Sequence, residues 1–180
     1  MDGKIICGYP GIGKSTVCEN RVWFIDLESS NFYKDDGTKA DDWWIGYTNI
    51  AVDLAKQGYL VFTSCHEVVR NRLAEIAPDI TVVIMPDESI EKEWRNRLED
   101  RYLRDRSSKN YRALNHALNG CLKDDLRHAK EDSELPLYLI REPDWDLMCF
   151  LYNKIFCKDI LLLPPSVQAI LMKEGGDNNE

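Results

Sequence analysis

Lys4-Ile5-Ile6-Cys7-Gly8-Tyr9-Pro10-Gly11-Ile12-Gly13-Lys14-Ser15-Thr16 is the stretch on which the fold of this chain turns. Its first part is a short apolar run with β-branched residues, the pattern of a strand buried on both faces. The part from Gly8 to Ser15 fits GxxxxGK[ST] at every position. The spacing has a chemical reason. Glycines lack Cβ and let a polyanion approach successive backbone N–H groups closely. A helix opening after the turn aims further amides and its dipole at the same anion. Gly8, Pro10, Gly11, Ile12, Gly13, Lys14, Ser15 and Thr16 are therefore candidate phosphate-binding positions. Lys14 would supply a point charge at the terminal phosphates and Ser15 a hydroxyl ligand for Mg²⁺.

Outward from this loop, apolar runs at 22–26, 59–63, 80–85 and 137–140 predict further strands. Helical spacing predicts helices at 14–21, 43–56, 68–76, 89–106, 110–130 and 146–156. Ile90, Trp94, Leu98 and Tyr102 form one stripe of the charged helix, and Tyr111, Leu114, Leu118, Cys121 and Leu122 are expected to be buried along the next. Such alternation predicts an α/β fold whose five-stranded parallel sheet is covered on both faces. One domain is expected over 1–173, followed by a disordered polar tail at 174–180.

Composition narrows the partners. A formal net charge of −8 argues against a duplex nucleic-acid or anionic-membrane binder, whose affinity comes from neutralising phosphates. No run approaches the ~20 apolar residues of a membrane span. Met-Asp-Gly-Lys before a short apolar stretch lacks the flanks of a signal peptide, so a cytoplasmic location is expected. The six cysteines include no CxxC pair and read as small buried thiols in a reducing compartment.

With the loop and the β–α–β alternation in view, the chain resembles the P-loop kinases, especially the nucleoside monophosphate kinases related to adenylate kinase. The resemblance implies a three-layer P-loop NTPase sandwich of strand order 2-3-1-4-5, ATP·Mg²⁺ as phosphoryl donor and a mobile arginine-bearing lid, here about 89–112. It implies a nucleoside or deoxynucleoside monophosphate as acceptor. The alternatives are another acceptor (a nucleoside, a metabolite or a nucleic-acid end) and a nucleotide-binding regulatory module without transfer.

Asp26 and Glu28 end the second strand and, by alternation, point to one side. Carboxylates at that edge border the ligand crevice of an open α/β sheet. They can orient metal-bound water, hold an acceptor hydroxyl or act as base. The run 22–26 also looks like a Walker B strand, but its position directly after the loop helix favours the acceptor role that the resemblance implies.

After the third strand, Ser64 or His66 could reach the metal's water shell, and Arg70 could hold an acceptor phosphate; the Asp-Gly that the resemblance implies there is absent. Arg97, Arg101 and Arg104 recur at i, i+4 and i+7. With Arg106, Lys109 and Arg112 they make the most cationic stretch of the chain, suited to phosphate oxygens. The lid motif RxxxR of the resemblance falls on Arg97 and Arg101. Trp43 and Tyr47 are candidates to stack on an acceptor base. His66 to Arg70 lacks the second imidazole of a zinc HExxH helix, and Asn153-Lys154-Ile155-Phe156 lacks the acid of a guanine-reading NKxD.

Overall fold

The computed structural model describes residues 3–19, 21–32, 38, 40–131 and 134–156. The remainder of the expected domain at 157–173, with Cys157, and the tail at 174–180 lie outside the described residues. Strands β1 (Lys4–Gly8), β2 (Phe24–Asp26), β3 (Leu60–Ser64), β4 (Thr81–Pro86) and β5 (Leu137–Ile140) form a five-stranded sheet in the order β2-β3-β1-β4-β5. Every pairing is parallel. This is the α/β topology expected. All of β4, and β1 from its second residue on, is buried, which is why these strands read as unbroken apolar runs rather than alternating ones.

The helices are α1 (Lys14–Cys18), α2 (Trp43–Lys56), α3 (Glu67–Ile76), α4 (Glu91–Arg104), α5 (Ser108–Leu118), α6 (Leu122–Glu131) and α7 (Leu147–Leu151). The crossover from β1 to β2 runs to one side of the sheet and that from β3 to β4 to the other. Right-handed connections then put α1 and α3 on opposite faces. Helix α2 packs on α3, and α7 packs on α1. No helix among the described residues is long and apolar enough to cross a membrane.

Several local expectations differ from the structure. Helix α1 stops at Cys18 because Glu19 is extended (φ −61°, ψ 124°) and Arg21 folds back to donate to the Val17 carbonyl at 2.8 Å. Strand β2 begins at Phe24, with Val22 in solvent. The expected helix over 110–130 is two, broken at Gly120 (φ +70°). The break resets the helical phase: Leu122, Leu126 and Ala129 of α6 are buried, whereas α5 buries Asn110 and Ala117 and leaves Tyr111 (54% exposed) and Leu118 (60%) in solvent. The stripe Ile90, Trp94 and Leu98 is buried as expected, with Tyr102 half-buried. The helix expected over 146–156 is α7 followed by a π-helical turn, Tyr152–Phe156.

Candidate functional site

The loop after β1 lies at the centre of the sheet's C-terminal edge, because Gly8 is level with Ser64 of β3 and Ile84 of β4. It turns through Gly11 (φ +79°) and Gly13 (φ +110°), backbone that L side chains rarely adopt. Glycine at position 11 also serves packing, since a Cβ there would lie 2.8 Å from Leu98 Cδ2. Indole groups hold the loop from behind. Trp94 Nε1 of α4 donates to the Pro10 carbonyl at 2.7 Å. Trp145 Nε1, between β5 and α7, donates to the Ile12 carbonyl at 3.0 Å. With these carbonyls pinned inward, the amides of Gly11, Ile12 and Gly13 have no acceptor among the described residues. Backbone donors left over in this way form a cradle for an anion.

Lys14 folds back over the loop and donates to the carbonyls of Gly8 (2.6 Å) and Tyr9 (3.1 Å). A Cβ on Gly8 would sit 2.6 Å from Lys14 Cδ, so glycine there makes room for the lysine stem. Burial pushes the Lys14 ammonium below its ordinary value; Asp26, Cys65 and Glu28 oppose that shift, and the charge of Lys109 adds to it. Ser15 Oγ donates to Asp26 Oδ2 at 2.6 Å. That hydroxyl and carboxylate are hard oxygen donors at the protein surface. They fit a Mg²⁺ ion, which takes one or two protein oxygens and completes its shell with phosphate and water. Thr16 is exposed beside them.

Asp26 and Glu28 therefore have separate partners. Glu28 forms an ion pair with Lys109 of α5, while Asp26 belongs to Ser15. At the end of β3, the Tyr47 hydroxyl accepts from Ser64 N (2.7 Å) and donates to Leu27 O (2.6 Å). Tyr47 is fully buried, so it is a strut tying β3 to the segment after β2 rather than a base-stacking surface. Trp43 is half-buried, with His66 edge-on at 5.8 Å.

Arg70 is 3% exposed, and its guanidinium donates to Cys65 O at 2.6 Å. Arg70 Nε and Ser64 Oγ are both buried with no hydrogen-bond partner among the described residues. Cys7, Cys18, Cys65 and Cys121 are free thiols, and burial pushes Cys7 up to about 12, which keeps it protonated and inert.

The arginine helix divides. The Arg97 guanidinium lies 3.5 Å from the centre of the Trp145 ring and donates to the Trp145 carbonyl at 2.8 Å. Burial lowers its pKa, with Asp146 and Asp144 opposing. Arg97 thus braces the indole that holds the loop, and it is not turned outward as a lid cation would be. Arg104 is exposed and bonds back to the Asp100 carbonyl at 3.2 Å, whereas Arg101 is half-buried.

Sequence reasoning gave no site role to Trp94 or Trp145, and counted Lys109 only within the cationic stretch suited to phosphate oxygens. It also missed Tyr9, whose hydroxyl donates to Asp125 Oδ2 (2.5 Å) beside His116 Nε2 (2.6 Å). Trp94 appeared only as a core position. The chain matches no protein-family model and no curated protein.

Proposed function

We propose that this chain is a P-loop phosphotransferase that moves the γ-phosphoryl of ATP to a nucleoside or deoxynucleoside monophosphate. The observation that carries this reading is the inverted loop, with carbonyls pinned by Trp94 and Trp145, amides at Gly11, Ile12 and Gly13 left over, and Lys14 folded across. Such donors sit ready where charge accumulates in phosphoryl transfer, with little reorganisation needed. ATP·Mg²⁺, when bound, supplies the transferred group and the divalent charge.

The chain's own residues bind, orient and neutralise. The loop amides and Lys14 hold the phosphate chain. The Ser15–Asp26 bond supports a metal-side role for Asp26, in place of the acceptor-side role expected for it. The acceptor side is left to Glu28 and Arg70. A buried guanidinium whose Nε lacks a partner, next to a Ser64 hydroxyl in the same condition, suits a phosphate-bearing acceptor. Orientation of the two substrates supplies the remainder of the rate.

The test is ADP formation from ATP·Mg²⁺ across the common nucleoside and deoxynucleoside monophosphates. Turnover with one or a few of them, abolished by Lys14→Met, is expected. Nucleotide affinity without ADP formation from any monophosphate would retire the transfer reaction and leave a binding module.

A further inference from the structure

Glu28 and Lys109 are 81 residues apart in sequence, yet they form an ion pair that joins the segment after β2 to α5. The corner that carries Lys109 is built as a unit. Ser107 accepts from Asn110 N at 3.4 Å, and Ser107 Oγ donates to Asp105 Oδ2 at 3.0 Å. Asn110, 3% exposed, donates through Nδ2 to both the carbonyl (2.7 Å) and the carboxylate (2.8 Å) of Asp105. Further along, α5 carries His116, which meets Asp125 and through it the Tyr9 hydroxyl of the glycine loop. Helix α5 is therefore tied to the site at both ends, through Lys109 to Glu28 and through Asp125 to Tyr9. Glu28 lies two residues past Asp26, the carboxylate that ends β2 and accepts from Ser15, and the charge of Lys109 is felt at Lys14.

An ion pair with side chains 43% and 32% exposed contributes little to folding, so a purely structural reason for it is weak. A phosphate oxygen, by contrast, competes directly with a carboxylate for an ammonium group. We propose that Lys109 is a phosphate-contacting residue of the site, stored on Glu28 in the empty protein and handed to the phosphate chain when a nucleoside triphosphate enters, which closes α5 over it. The proposal rests on the P-loop reading above and deepens it. Glu28 becomes the internal competitor that lowers affinity for weakly charged anions, and the α5 lysine takes the place expected of the α4 arginines.

The experiment is titration of the full chain with the β,γ-imido analogue of ATP plus Mg²⁺, without acceptor, on wild type, Lys14→Met, Lys109→Gln, Lys109→Arg, Glu28→Gln and the Glu28→Gln/Lys109→Gln pair. Melting points show that each variant is folded. Lys109→Gln is expected to weaken binding by about tenfold, equivalent to about 1.4 kcal/mol, and Lys109→Arg to stay within about threefold of wild type. Glu28→Gln is expected to tighten binding, and that gain should vanish when Lys109 is also Gln, because the carboxylate acts by occupying the lysine.

Two results overturn the proposal alone: Lys109→Gln binding like wild type while Lys14→Met loses affinity, or a Glu28→Gln gain of equal size with and without Lys109. Absence of affinity in the wild type overturns the P-loop reading itself, and the proposal with it.

Discussion

Trp145→Phe removes the indole N–H that satisfies the Ile12 carbonyl at 3.0 Å and keeps an aromatic ring under Arg97. Ile12 is 0% exposed and Trp145 5%, so water does not replace the lost donor. A buried polar group left unsatisfied costs about 1–3 kcal/mol. The smaller ring also weakens the cation–π contact, worth about 0.5–2 kcal/mol in full. The sum is about 3 kcal/mol, or a fall in melting temperature of roughly 6–12 °C for a chain of this size. Urea titration and thermal melting of the protein alone measure it. Arg97→Gln, made alone and together with Trp145→Phe, completes a double-mutant cycle with an expected coupling of about 0.5–1 kcal/mol. A loss below about 0.5 kcal/mol for Trp145→Phe, or strict additivity with Arg97→Gln, would refute the claim that this pair braces the loop.

Two further outcomes follow from the same geometry. Lys14 titrates below the ordinary 10.5 because folding buries it. Between that lowered value and 10.5 the unfolded chain binds more protons than the folded one, so stability rises with pH across the window. Lys14→Met should flatten this rise in denaturation midpoints measured from pH 7 to 10.5, and parallel curves for the two proteins would contradict it. Tyr47→Phe strands Ser64 N and Leu27 O, which Tyr47 bridges at 2.7 and 2.6 Å. A loss of about 2 kcal/mol by urea titration is expected, and a neutral result would show that the hydroxyl does not tie β3 to the segment after β2.

The parts legible in advance were those encoded by near neighbours along the chain. Strands β1, β3 and β4 declared themselves as apolar runs because burial on both faces leaves no room for alternation, and the half-buried edge strand β5 showed a shorter run of the same kind. The Ile90, Trp94 and Leu98 stripe followed from helical period alone. The period failed at α5, where Tyr111 and Leu118 continue the apolar pattern but face solvent. A turn at Gly120 shifts the phase, and periodicity assumes an unbroken helix. Arg97 illustrates a different limit. Its spacing to Arg101 is a local fact, but whether the guanidinium faces a ligand or an indole depends on Trp145, which lies far along the chain.

By itself the sequence determined the strand–loop–helix unit at residues 4–18 and the α/β class, since both arise from short-range sterics and from which residues avoid water. The tertiary structure alone decided which groups share the site. Pro10 meets Trp94 across 84 residues, Glu28 meets Lys109 across 81 and Ile12 meets Trp145 across 133. Hydrogen bonds and ion pairs have ranges of a few ångströms in space and no preferred separation along the chain, so only the folded path brings such partners together.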